Sequence, residues 1–205
     1  MSRSVLVTGG NRGIGLATAR LLAQQGHRVA VTYRTTPPEG LLSVRCDVTS
    51  AAEVDAAFTE VEAAHGPVEV LVSNAGVTQD GLLLRMSEAS FTDVLDANLT
   101  GAYRVAKRAS RSMLKARYGR LLFVSSVVGL SGAAGQANYA ASKAGLVGIA
   151  RSLARELGSR GITSNGLAPG YVDPDMTAGL ADARRAGLLT TIPHGRPASD
   201  VQIAA

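Results

Sequence analysis

The run Ser4-Val5-Leu6-Val7-Thr8-Gly9-Gly10-Asn11-Arg12-Gly13-Ile14-Gly15 decides how this chain folds. Ser4 to Thr8 is a short unbroken apolar stretch, as expected of a strand buried on both faces. Gly13 to Gln25 then carries Ile14, Ala17, Leu21 and Leu22 on one helical face, and Gly26 stops the helix. Between the two lie Gly9, Gly13 and Gly15 in G-x-x-x-G-x-G spacing. Glycine permits the tight turn and lets backbone amides approach a pyrophosphate, toward which the following helix points its positive end. A glycine loop elsewhere would mean only a turn. Here it stands between a strand and a helix, where dinucleotide binding requires it.

Outward from that unit, strands and helices alternate. Strands are expected over Arg28–Tyr33, Leu41–Arg45, Val68–Ser73, Leu121–Ser125 (after a Gly119-Arg120 turn) and Ile162–Leu167. Thr49 or Ser50 caps a helix reaching His65, Ser87 opens a helical region to Arg117 in two pieces, and Tyr139–Ser159 is one long helix. This alternation predicts a single α/β domain over residues 1–205, a Rossmann-type doubly wound parallel sheet with helices on both faces. Ligands bind such sheets beyond the carboxyl ends of the strands, near the switch in strand order.

Composition narrows the function. With 46% hydrophobic residues and 205 in all, the chain can bury a full core. Aromatics are only 4%, so that core is built from Ala, Val, Leu and Ile. The net charge of +5 suits anionic small molecules or acidic partners. Basic residues are not interleaved with aromatics, so nucleic acid is not an expected partner. The single cysteine, Cys46, lies in an apolar run and reads as a buried structural thiol in a reducing compartment. Met1 to Arg3 leads directly into the first strand and no apolar run can span a bilayer, so neither signal peptide nor membrane is expected and the location is cytoplasmic. His27, His65 and His194 lack metal-ligand spacing, so no metal is expected.

The end of the second strand selects the cofactor. An acid there would hold a ribose 2′-hydroxyl and repel a 2′-phosphate. The chain has Tyr33-Arg34 instead, with Arg12 in the glycine loop nearby. Two guanidinium groups suit a phosphate dianion and predict NADPH; the bland reading is two solvated surface charges. Asp47, after the third strand, either bonds an adenine amino group or caps the next helix. Asn74-Ala75-Gly76, after the fourth, leaves room for the adenosine side.

Tyr139 and Lys143, at i and i+4, share a helix face, and a nearby ammonium would lower a phenol whose ordinary pKa is near 10. Alone, Tyr-x-x-x-Lys is commonplace. Ser126 ends the fifth strand, and Asn98 interrupts a helical apolar pattern. Together with the glycine loop, Asn74-Ala75-Gly76 and Tyr139-Ala140-Ala141-Ser142-Lys143, in this order and spacing, they resemble the short-chain dehydrogenases/reductases along nearly the whole chain. Asp80-Gly81-Leu82-Leu83-Leu84-Arg85-Met86, Gln136-Ala137-Asn138-Tyr139 and Ala168-Pro169-Gly170-Tyr171 are most similar to the 3-oxoacyl-(acyl-carrier-protein) reductases, and the wording of residues 9–16 and 98–113 to their mycolic-type elongation branch.

The resemblance implies NADPH-dependent reduction of a 3-ketoacyl thioester. It implies Tyr139 as general acid, Lys143 lowering the Tyr139 pKa and holding the nicotinamide ribose, Ser126 polarising the carbonyl and Asn98 holding a water in the proton relay. It implies cofactor contacts from Gly9, Asn11, Arg12, Gly13, Ile14, Gly15, Arg34, Asp47, Val48, Asn74, Ala75, Gly76, Tyr139, Lys143, Pro169, Gly170 and Val172. It also implies a homo-dimer or homo-tetramer, and docking of acyl carrier protein through Arg117 and Arg160. Two departures stand out. Pro174 replaces a Thr that would bond the nicotinamide carboxamide, and residues 196–205 begin a helix that the family continues into a seventh strand. The last helix and strand are therefore expected to be missing, leaving strand six as a bare edge. The Leu82–Leu84 and Met86 cluster lines an acyl pocket or is ordinary core or interface, and residues 178–189 form a helical lid. The alternatives are another ketoreductase, acting on a coenzyme A thioester, polyketide or small ketone, and a non-catalytic dinucleotide-binding protein.

Overall fold

Neighbouring residues of each central strand bury on opposite faces, which is why those strands read as unbroken apolar runs. In the computed structural model, which describes residues 1–172, 190 and 192–205, Leu6, Ala30, Leu71, Leu121 and Phe123 join one core while Val5, Val7, Val29, Val31, Val72 and Val124 join the other. The six strands are β1 (Ser4–Val7), β2 (Arg28–Tyr33), β3 (Leu42–Arg45), β4 (Val70–Ser73), β5 (Gly119–Val124) and β6 (Ile162–Leu167). They form one parallel sheet in the order β3-β2-β1-β4-β5-β6. The order reverses between β1 and β4, and the functional cleft opens there. β6 lies at the sheet's edge among the described residues, as expected.

The larger core is closed by α2 (Ala51–His65), α4 (Gly101–Ala116) and α6 (Ala137–Leu157), through Val54, Phe58, Val105, Met113, Leu146 and Leu157. The smaller core is covered by α1 (Gly13–Gln24), through Ala19, Leu22 and Ala23. A last helix, α7 (Asp200–Ala204), packs against α1. Ser50 is the α2 cap, its hydroxyl accepting from the Glu53 amide at 3.2 Å.

Several boundaries move, each because pairing overrides local composition. Gly119 and Arg120 are not a turn: they pair with Ile162 and Thr163 and open β5. The strand expected from Val68 begins at Val70, where pairing to β1 and β5 begins. The region from Ser87 to Arg117 does form two α-segments, α3 (Glu88–Leu95) and α4, joined through a π-helical turn at Asp96–Thr100. Two short elements had no signal in the apolar pattern: a 3-10 turn at Leu83–Arg85 and α5 (Val128–Ser131). Pro174 and the helix expected over residues 178–189 lie outside the described residues.

Candidate active site

A cleft of about 480 Å³ opens at the β1/β4 switch. Its walls come from the glycine loop (Gly9, Asn11, Arg12, Gly13, Ile14), the end of β2 (Tyr33, Arg34), the segment after β3 (Cys46, Asp47, Val48), the segment after β4 (Asn74, Ala75, Gly76, Val77), and Ala97, Val172 and Asp200. Twelve of the residues expected to meet a cofactor thus line one cavity. Five others do not. Gly15 is buried beneath the loop, where a Cβ would stand 2.8 Å from the Gly9 carbonyl oxygen and against Asn74. Pro169 is buried and accepts a bond from the Val127 amide at 3.0 Å. Lys143 stands beyond Gly76, and Tyr139, on the same helix, is also outside the lining. Gly170 is exposed and outside the lining.

The amino end of α1 suits a phosphate. The helix's first backbone bond runs from the Leu16 amide to the Arg12 carbonyl, so the amides of Gly13, Ile14 and Gly15 lead it. No side chain caps them and no acid lies in α1's own first turn. Gly13 has φ +55°, and a Cβ there would meet only Asp200, which keeps the approach open. Asn74 clamps the loop from behind, donating to the Thr8 and Gly9 carbonyls at 3.1 and 3.0 Å. These features fit a dinucleotide.

At the other end, Arg34 lies 3.9 Å from Asp47, with its side chain 62% exposed, and Arg12 is exposed on the same cleft. Asp47 turns its carboxylate back to accept from the Thr49 amide and hydroxyl at 2.9 and 2.8 Å. Those bonds, then Arg34 and Arg45, hold it below the usual carboxylate pKa against the opposing effect of burial. It is not the cap of α2. Burial pushes the Cys46 thiol up to about 11, an inert structural thiol as expected.

Gly76 is the junction to the second constellation. A Cβ on it would lie 3.2 Å from Asn98 Oδ1 and 3.6 Å from Lys143 Nζ. Asn98, in the π turn, is 1% exposed. Its Oδ1 accepts from the Val77 amide at 2.7 Å, and its Nδ2 donates to the Val77 carbonyl and to Ser142 Oγ, each at 3.0 Å. The side chain is thereby engaged in fixing the segment after β4 to α6.

The end of β5 is stitched to α6: Ser125 Oγ donates to the Lys143 carbonyl at 2.7 Å, and Lys143 Nζ donates to the Val124 carbonyl at 2.7 Å. α5 lies so close to α6 that a Cβ on Gly129 would stand 2.8 Å from backbone atoms of Lys143 and Ala144. Gly129 is a site-building residue that pattern reading missed, since its partners lie 14 and 15 positions away in sequence.

Ser126 lies close enough to Tyr139 to lower its pKa through hydrogen bonding. Burial is the largest influence and raises the Tyr139 pKa; the bond from Ser126 lowers it, and the Asp80 charge raises it further. Lys143 Nζ lies 5.5 Å from the Tyr139 ring centroid, committed to Val124. Asp80 opens the stretch that is similar to the 3-oxoacyl-(acyl-carrier-protein) reductases. It is held over the start of α6 by Gln136 Nε2 at 2.9 and 3.1 Å, and Gly81 donates to the Gly135 carbonyl at 2.8 Å. Leu82, Leu83 and Leu84 are 61%, 75% and 98% exposed, which removes the core reading.

Burial lowers Lys143 to about 8 from an ordinary 10.5. Between these values the unfolded chain binds more protons, so this residue's contribution to stability rises with pH across that window. Keeping the ammonium buried at neutral pH opposes folding by on the order of 3 kcal/mol. The unfolding free energy of Lys143→Met should therefore fall relative to the parent's as pH rises from neutrality through 8 to 10. Urea melts giving parallel pH curves for the two proteins would show that the ammonium is not desolvated.

The sequence matches the family model of the short chain dehydrogenases over residues 3–185. The chain belongs to the short-chain dehydrogenase family. It is 57% identical over 205 residues to the 3-oxoacyl-(acyl-carrier-protein) reductase MabA of Mycobacterium tuberculosis, spanning 100% of this chain and 83% of that protein. Identity to the same-named protein of Mycobacterium avium is 56% over 204 residues, 99% of this chain and 80% of that one. Identity to the 3-oxoacyl-(acyl-carrier-protein) reductase FabG of Escherichia coli is 43% over 211 residues, 97% of this chain and 85% of that one. Among the described residues, no helix is long and apolar enough to cross a membrane, and no cluster of His, Cys, Asp or Glu could hold a metal ion.

Proposed function

We propose that this short-chain dehydrogenase reduces 3-ketoacyl thioesters, carried on acyl carrier protein, to 3-hydroxyacyl thioesters in fatty-acid biosynthesis. The observation that carries the reading is Ser126 set close enough to Tyr139 to act on its hydroxyl, with Lys143 Nζ beside Gly76 at the inner end of a dinucleotide-sized cleft. In this reading NADPH is the cofactor and, when bound, supplies the hydride to the ketone carbon. The Gly13–Gly15 amides hold its pyrophosphate, and Arg12 and Arg34 its 2′-phosphate. Tyr139 gives its hydroxyl proton to the ketone oxygen, completing the alcohol, and Ser126 hydrogen-bonds that oxygen to orient it. Lys143 leaves the Val124 carbonyl to hold the nicotinamide ribose and to favour the phenolate that remains.

Arg117 caps α4 in the left-handed conformation and donates to the Ser159 carbonyl at 3.4 Å, which places it beside Arg160 in the turn ending α6. That cationic corner is our docking site for the carrier protein. The α4–α6 groove, where Tyr103 and Leu114 are 50% and 41% exposed, is our site of self-association, and we place the enzyme in the cytoplasm.

NADPH oxidation, followed at its nicotinamide absorbance with matched acetoacetyl groups on carrier protein and on coenzyme A, tests the reading. Turnover should be faster with NADPH than with NADH, and faster on the carrier protein. Preference for coenzyme A would reassign the carrier. Cofactor binding without turnover on either thioester would favour a non-catalytic dinucleotide-binding protein.

A further inference from the structure

Val48 stands in the cleft wall beside Asp47, whose carboxylate lies 3.9 Å from Arg34. If Arg34 holds the 2′-phosphate, this is the adenosine end of the cleft, and Gly76 and Lys143 mark the nicotinamide end. The backbone at the adenosine end is gripped from two helices. The Asp47 amide donates to Glu53 Oε2 of α2 at 2.9 Å. The Val48 carbonyl accepts from Arg104 Nη1, in the first turn of α4, at 3.3 Å. The same nitrogen donates to Asp96 Oδ1 at 2.8 Å. Asp96 opens the π turn, whose second residue, Ala97, also lines the cleft. Gly101 heads α4, and a Cβ on it would stand 2.7 Å from Val48 Cγ2. The start of α4 therefore meets Val48 at both backbone and side chain.

We propose that Arg104 is a positioning residue for the adenosine half of the cofactor, acting through the Val48 carbonyl. The proposal rests on the reading that this cleft takes NADPH. Arg104 is not in the cleft lining, so its influence on the dinucleotide passes through the backbone it holds. Asp96 aims the guanidinium, because a charge-assisted bond fixes the direction of the donor. With the donor in place, the Val48 wall is set before the cofactor arrives, and binding need not order it. The π turn thus serves both ends of the cleft. Asn98 fixes Val77 at the inner end, and Asp96 fixes Val48 at the outer end through Arg104. Loss of Arg104 weakens the hold on the adenosine half and leaves Ser126, Tyr139 and Lys143 in place.

Arg104→Met keeps an apolar stem and removes the donor. Fluorescence titration of NADPH and calorimetric titration of adenosine 2′,5′-bisphosphate, which presents the adenosine half alone, should each show Kd raised by about tenfold. KM for NADPH should rise by a similar factor, while kcat at saturating NADPH stays within about twofold of the parent's. One nitrogen makes both Arg104 bonds, so Arg104→Lys, whose ammonium also offers several donors, should recover most of the lost affinity. Unchanged bisphosphate affinity in Arg104→Met, a loss confined to kcat, or no recovery in Arg104→Lys would each overturn the proposal. If Arg104→Met does not fold, Asp96→Ala, which releases the guanidinium from its anchor, should weaken both ligands in the same way, and unchanged affinity there overturns the proposal. A parent protein that binds neither NADPH nor the bisphosphate would instead sink the cofactor reading, and this proposal with it.

Discussion

Tyr139→Phe should lose about three orders of magnitude in kcat for ketoacyl reduction while still binding NADPH. A positioned proton donor typically contributes about 10²–10⁴-fold, and the substitution removes only the hydroxyl. Tyr139 does not line the dinucleotide cleft, so cofactor affinity should change little. Ser126 stands within reach of that hydroxyl. Ser126→Ala should therefore fall in the same direction, and the double variant should lose less than the sum of the two free-energy changes, because the pair acts as a unit. Stopped-flow or steady-state NADPH oxidation, with fluorescence titration of the cofactor alongside, decides the matter. A Phe variant keeping more than about a tenth of the parental rate would remove Tyr139 as the acid.

The second large effect is on stability. Asn98→Ala should destabilise the fold by about 3 kcal/mol, because it leaves the Val77 amide and carbonyl without their side-chain partners and opens a cavity. Three bonds of 2.7 to 3.0 Å converge on that one side chain. In a chain of this size the change corresponds to a melting temperature lower by roughly 6–12 °C. The same substitution frees the segment after β4, so KM for NADPH should rise alongside any loss in kcat. Unchanged melting with reduced kcat would mean that Asn98 serves the chemistry directly and not the scaffold.

Much of this architecture was legible in the chain because buried parallel strands have an unmistakable composition. Val5 to Val7, Val29 to Val31 and Val70 to Val72 have no polar face because helices cover both sides of the sheet. The glycine loop announced its place for a related reason: the positive φ at Gly13 favours glycine, and the contact of Gly15 with Asn74 leaves no room for a Cβ. Helix starts were legible where a side chain makes the cap, as at Ser50 and Ser87. The turn suggested by Gly119-Arg120 was not, because pairing with Ile162 and Thr163 outweighed the local preference of a glycine.

The candidate site divides in the same way. Sequence by itself determined which groups are available: Ser126 just beyond β5, Tyr139 and Lys143 in the first two turns of α6, two arginines without an acid at the end of β2, and glycines at the head of α1. Spacing could say that Tyr139 and Lys143 share a helix face. It could not say that the ammonium would turn to the Val124 carbonyl, or that burial would raise the phenol's pKa. Desolvation depends on everything packed around a group, and no local pattern records that. The Asp80–Gln136 clamp, the contact of Gly129 with the backbone of α6 and the approach of Asp200 to Gly13 all join segments far apart in the chain. Those contacts exist only once the sheet has set the helices in place, so tertiary structure alone decided them.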